Sequence, residues 1–276
     1  MKNDSSIRVF IGGDVFGSVG LSCVQSLLPS LISEKSIDVT VLNAENTTGG
    51  TGVSADDAAA LFASGADILT GGNHSFEKRD FWPVLSSDSR ILRPANYPDS
   101  ADDAYALPGS GSCVIEKNGV RIAVLNLQGR EDMPAIDCPF RKADSLISSW
   151  LAEKNPPVIL VDFHAESTME KEALALFLDG RVSVVAGTHT HVQTADERIL
   201  PSGTGYITDL GMTGPVRSVI GVDPALVIKR NITQVLYRME GASGPAALRG
   251  LIVDIDLETH KAVSVTRIDL AAQRQE

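Results

Sequence analysis

The sequence predicts an α/β sandwich, in which two β-sheets pack face to face with helices outside. Three observations carry that expectation. Short β-branched runs recur along the chain, and several are apolar nearly throughout, as strands covered on both faces are. Over the first two-thirds, segments with helical apolar spacing lie between many of them. The last third is richer in strands.

A first strand is expected at residues 7–11, followed by a helix over 23–32, where apolar side chains recur at helical spacing. A strand at 39–42 precedes a helix at 54–63, which opens on Ser54 as a cap with Asp56 and Asp57 in its first turn. Residues 68–69 give the next strand. Strands at 120–127 and 158–163 flank a helix at 143–152. A helix at 169–178 leads to a strand at 182–185. Residues 198–207 have a hairpin-like pattern, and strands at 251–255 and 263–268 close the chain.

With 276 residues and 43% hydrophobic content, the chain can bury a large core without covalent staples. It has no linker-like run, no block of like charge and no evident internal repeat, so residues 1–276 read as a single domain. The net charge of -11 repels polyanions, which argues against broad contact with duplex nucleic acid. A single phosphate can still bind beside local cations. Cys23, Cys113 and Cys138 are odd in number and widely spaced, which fits a reduced compartment. The first residues lack the apolar stretch of a signal peptide, and no apolar run reaches the ~18 residues of a membrane span. The expectation is a soluble, cytoplasmic protein with no membrane contact.

The informative residues lie where strands end, the places where α/β folds gather ligands and chemistry. The first strand runs into "GGDVFG" with Asp14, and the second into "NAENTTGGTG" with Glu45 and Asn46. The third runs into "TGGNHSFE" with Asn73 and His74. Later strands run into "VDFHAES" with His164 and "AGTHTHVQTADE" with His189 and His191. Taken singly, each has a plainer reading. Asp14 could cap a helix, Asn46 and Asn73 could form turns, and His164 could be a satisfied core histidine. The pair in "HTH" would share one face of an extended segment, but a lone His-x-His is a weak motif. Five such coincidences at strand ends are less probable than one site assembled from loops. Carboxylate, amide and imidazole donors without thiolate favour manganese or iron over a closed zinc site. The donors are too many for one ion and suit a pair, roughly 3.5–4 Å apart in enzymes that act at phosphorus.

Other chemistries fit less well. "GGDVFGSVG" lacks the G-x-G-x-x-G spacing of a dinucleotide site and the Lys-Ser/Thr of a phosphate loop. No G-x-S-x-G elbow is present, and "PGSGSC" from Pro108 reads as a turn before a strand.

These motifs resemble the metallophosphoesterase superfamily and, more closely, its YmdB-like branch. Asp14 stands without the usual paired histidine, Phe16 taking that place, and "NAEN", "GGNH", "FHAE" and "GTHTH" follow. "LRPANYP", "VLNLQGR", "THVQTADE" and "YITDLGMTGP" are similar as well, so the resemblance runs from Arg8 to about Asp269. It implies a four-layer αββα sandwich and a dinuclear centre, most often of iron, with manganese also supporting activity. It further implies hydrolysis of cyclic nucleotides, notably 2′,3′-cyclic phosphodiesters, by a metal-bridged hydroxide. By position, Asp14, Glu45, Asn46 and His191 would hold one metal. Glu45, Asn73, His164 and His189 would hold the other, with Glu45 bridging and His74 as proton donor. Ser18-Val19-Gly20-Leu21 replaces an arginine-bearing loop usual in relatives, which bears on substrate range and on no metal ligand. The partner expected is a small phosphodiester, and a homo-oligomer is compatible with the family. Rival functions are a phosphomonoesterase or a phosphodiesterase for other small substrates, and a regulatory protein with incidental activity.

Overall fold

The computed structural model describes residues 5–98, 100 and 102–272. The chain opens with β1 (Ser6–Gly12), β2 (Asp14–Val15) and α1 (Gly17–Lys35). Then come β3 (Val39–Asn43), α2 (Ala55–Ala63), β4 (Ile68–Thr70) and α3 (Trp82–Ser87). The middle holds β5 (Ser112–Lys117), β6 (Val120–Gln128), α4 (Pro139–Leu151), β7 (Val158–His164), α5 (Thr168–Leu178) and β8 (Val184–Thr188). The last part holds β9 (Arg198–Ile199), β10 (Gly205–Ile207), β11 (Met212–Pro215), α6 (Pro224–Thr233), β12 (Ala246–Asp256) and β13 (Ala262–Ala271).

Two sheets result. The first has the order β2-β11-β12-β1-β3-β4, with β13 also paired to β12. The second has the order β5-β6-β7-β8-β10-β9. The pairs β1–β3 and β3–β4 are parallel, as are β6–β7, β7–β8 and β8–β10. Parallel pairing brings the carboxyl ends of β1, β3 and β4 to one edge of the first sheet. It does the same for β7 and β8 in the second.

Side-chain alternation along the strands builds the layers. Val9, Ile11 and Val41 of the first sheet meet Val124, Leu160 and Val184 of the second in a buried cluster between the sheets. Phe10 and Leu42 face the other way and pack on Val24 and Leu28 of α1 and Leu61 of α2. Leu125, Val161 and Phe163 likewise pack on Ile147 of α4 and Leu174 and Leu178 of α5. Both faces of both sheets are covered, giving the four-layer αββα sandwich. The nearly unbroken apolar runs of the central strands follow from that coverage.

Several elements depart from their expected bounds. The first helix begins at Gly17, not residue 23, because its glycines hide the helical pattern. A Cβ on Gly20 would lie 2.4 Å from the Thr213 carbonyl, so the missing side chain lets α1 lie against β11. β8 continues to Thr188 through small residues with little strand signal. β5 is a half-exposed edge strand, and α6 buries none of its residues, so neither needed a clear apolar pattern. Ser54 does cap α2, accepting from the Asp57 amide. Among the described residues, no helix is long and apolar enough to cross a membrane.

Candidate metal centre

The strand ends deliver the polar residues to one place. Glu45, two residues beyond β3, is buried. Its Oε1 lies 2.9 Å from His164 Nε2, and its Oε2 accepts from the His74 amide at 2.9 Å. His164, the last residue of β7, also has Nε2 3.0 Å from Asn73 Oδ1 and 3.0 Å from His189 Nδ1. Donor atoms of Glu45, His164 and His189 all lie within 4.8 Å of one another. A Cβ on Gly72 would sit 2.4 Å from both Glu45 Oε2 and His164 Nε2, so only glycine leaves this space open.

A second group adjoins the first. Asp14 does not cap α1, where Phe16 holds the cap position without a side-chain bond. Asp14 is buried instead, with Oδ2 accepting from the His189 amide at 3.1 Å. Its Oδ1 is buried with no hydrogen-bond partner, yet lies 3.7 Å from His164 Nδ1 and 3.9 Å from His191 Nε2. His191 Nε2 is also 3.4 Å from Asn46 Oδ1, while Asn46 Nδ2 donates to the Gly50 carbonyl at 2.9 Å. An orphaned buried carboxylate oxygen facing imidazoles fits a cation.

His189 and His191 do not share a face of an extended segment. Both have left-handed backbone, with φ of 102° and 64°. That turn sends His189 toward His164 and His191 toward Asp14 and Asn46. The His74 ring makes no hydrogen bond to the donors and instead has Nδ1 3.4 Å from Glu77 Oε1, with its side chain partly exposed. His260 lies in the turn between β12 and β13, away from these groups.

The hydrogen bonds fix one donating nitrogen in each of two rings. The Thr188 hydroxyl donates to Asp162 Oδ1 at 2.7 Å, so its oxygen accepts from His164 Nδ1 at 3.0 Å. That leaves Nε2 of His164 to the cluster. The Ile220 carbonyl can only accept, so His191 Nδ1 donates to it at 2.8 Å and Nε2 faces Asp14. Electrostatics agree with a seat for positive charge. Burial opposes charge on His164, but the Glu45 carboxylate outweighs it and pushes the imidazole up to about 9. Burial also opposes charge on Glu45, and His164 outweighs it, bringing the carboxyl down to about 2. Burial and the neighbouring His164 push His189 down to about 3.

A family model described as YmdB-like protein matches residues 9–268. The chain belongs to the YmdB-like family. A Bacillus subtilis (strain 168) protein named 2′,3′-cyclic-nucleotide 2′-phosphodiesterase is 44% identical over 262 residues, covering 95% of this YmdB-like chain and 96% of that protein. A crystal structure described as a novel phosphatase from Mycoplasma pneumoniae superposes with a TM-score of 0.88 at 36% identity, covering 98% of this chain and 95% of that one. A 5′-nucleotidase precursor from Thermus thermophilus shares the fold, with a TM-score of 0.61 at 13% identity over 96% of this chain and 54% of that one.

Residues without a motif of their own surround the candidate centre of this YmdB-like protein. Asp162 accepts from Thr70 Oγ1 at 2.5 Å and from Asn43 Nδ2 at 3.2 Å as well as from Thr188. Burial pushes its carboxyl up to about 6. Glu166 Oε2 lies 3.1 Å from His189 Nε2, which leaves Nδ1 of that ring facing His164. Lys171 and Asp209 form a buried pair at 2.6 Å. Asp209 Oδ2 also accepts from the Thr190 amide and hydroxyl, fixing the loop that carries His189 and His191. The one available signal was position. Asp162 and Glu166 flank His164 two residues away on either side, and Thr188 precedes His189.

Proposed function

We propose that this chain is a metal-dependent phosphodiesterase that opens cyclic nucleotides, with 2′,3′-cyclic phosphodiesters as the preferred class. The carrying observation is the convergence of Glu45, His164 and His189 within 4.8 Å beside the orphaned Asp14 Oδ1. The name of the Bacillus subtilis relative supports the substrate class.

In this reading Asp14, Glu45, Asn46 and His191 would hold one ion, and Glu45, Asn73, His164 and His189 would hold the other, Glu45 serving both. Oxygen and imidazole donors without thiolate support iron or manganese, and the family resemblance favours iron. When bound, the pair would supply charge neutralisation for the phosphate and a deprotonated water as nucleophile near neutral pH. His74 donates a proton to the leaving ribose oxygen, a role open to it because its ring is half-exposed beside the donors and bound to none of them. Glu45 orders the His74 backbone through its amide, so one carboxylate ties the metal seat to the proton donor. Cys23, Cys113 and Cys138 are all free, which supports a reducing, cytoplasmic location. The unburied helix α6, with Ile228 and Ile232 exposed, supports self-association.

The test combines metal quantification of freshly purified protein with a substrate panel. The panel holds a 2′,3′-cyclic nucleotide, a 3′,5′-cyclic nucleotide, a phosphomonoester and an aryl phosphodiester. The proposal expects about two ions per chain and fastest turnover of the 2′,3′-cyclic compound. Metal-free protein with chelator-resistant activity would overturn it, and a preference for the monoester would replace the substrate class.

A further inference from the structure

Beyond the cluster of donors, a cleft of about 450 Å³ opens directly beside His191. Its size falls within the range of ~300–1,000 Å³ typical of small-molecule sites. Its two walls differ. Met212, Val216 and Ile220 form an apolar wall, and Val216 and Ile220 are 43% and 54% exposed, as wall residues of an open cleft would be. Arg249, Arg267 and Asp269 form the other wall. The floor is fixed by Gln193, whose amide donates to the carbonyls of Leu210 at 3.1 Å and Ile268 at 2.9 Å.

Charge decides what the polar wall can recognise. Arg249 Nε pairs with Asp269 Oδ1 at 3.1 Å, and Arg267 Nε lies 3.7 Å from Glu197 Oε1. Both guanidiniums are thus offset by carboxylates, in a chain of net charge -11. A second phosphate would meet little unbalanced positive charge here. A neutral, planar, hydrogen-bonding ring fits better. One face can lie on the apolar wall, and its polar edge can meet donors from Arg249 next to an acceptor from Asp269. His191 belongs to both the cleft and the candidate centre, so a molecule with its phosphorus at the centre has this cleft within reach of its organic part.

We infer that the cleft between the Met212–Val216–Ile220 wall and the Arg249–Asp269 pair is the nucleoside subsite, seating the base of the substrate while the phosphodiester lies at the centre. This rests on the phosphodiesterase reading above, and the test separates the two. Arg249→Ala and Val216→Trp are compared with wild type, all metal-loaded. The substrates are a 2′,3′-cyclic nucleotide and glycerol 1,2-cyclic phosphate, which keeps the five-membered cyclic diester but has no base. The ratio of kcat/KM for the nucleotide over the base-free diester is expected to fall roughly tenfold or more in each variant. Calorimetric titration with a nucleoside 3′-monophosphate should show a matching loss of affinity. An unchanged ratio with unchanged nucleotide binding overturns the subsite. Wild-type protein inactive on both diesters would instead refute the phosphodiesterase reading. The titration alone then decides whether nucleosides bind in this cleft.

Discussion

Thr188 has a single hydroxyl proton, and it goes to Asp162. That direction makes His164 donate through Nδ1 and keeps its other nitrogen for the cluster. A supporting hydrogen bond of this kind typically changes metal affinity by ~10–100-fold. Thr188→Val should therefore weaken metal binding by roughly that factor in a chelator competition titration, and Thr188→Ser should restore it. Equal affinity in the valine variant would remove Thr188 from the account. His74 gives the contrasting case. His74→Ala should keep full metal content and lose turnover by roughly 10²–10⁴-fold, measured by metal analysis beside kinetics. Undiminished turnover would exclude it as proton donor. The positions of the seven proposed ligands and of His74 were legible because polar residues that interrupt apolar strand ends stand out. Thr188, Asp162 and Glu166 were not, because threonine and aspartate within a strand and glutamate in a loop look ordinary until the fold shows what they touch. The left-handed turns at His189 and His191 also could not be read from a His-Thr-His spacing.

The loop after β8 depends on neighbouring elements for its shape. Asp196 joins it to the end of β10, accepting from Thr194 Oγ1 at 2.6 Å and from Thr208 through both amide and hydroxyl. Burial opposes charge on Asp196, but the hydroxyls of Thr194 and Thr208 outweigh it and hold the carboxyl below its ordinary value. A depressed carboxyl adds stability that is fully present above the unfolded value, near ~4. That stability is lost as pH falls through the lower folded value. Urea unfolding from pH 7 downward should show Asp196→Asn less stable than wild type near neutrality, with the gap closing in acid. A gap that holds constant would contradict the linkage. At this scale the central strands were legible, since burial on both faces writes an apolar run. The edge strand β5 and helix α6 were not, because β5 is only half-buried and α6 buries none of its residues, its apolar side chains standing exposed.

Across the whole molecule, the alternation of the central strands and helices was readable, and so was the face-to-face packing of two sheets, while β2, α3, β5, β11 and α6 were not. Pairing was not. Nothing local to the sequence shows that β12 runs antiparallel beside β1 or that β2 pairs with β11, yet these contacts bring Asp14 to the centre. Because the site joins both sheets, metal bound there should stabilise the entire fold through binding linkage, by about 2.7 kcal/mol at a hundredfold excess over Kd. Chelation should lower Tm, and readdition of manganese or ferrous iron should recover it. A Tm indifferent to metal would argue against a site spanning the layers. The most direct test is an anomalous difference map from crystals of the purified protein. Two peaks are predicted, one among Glu45, Asn73, His164 and His189 and the other among Asp14, Asn46 and His191. A map with no peak there after soaking in manganese or iron would contradict the dinuclear centre.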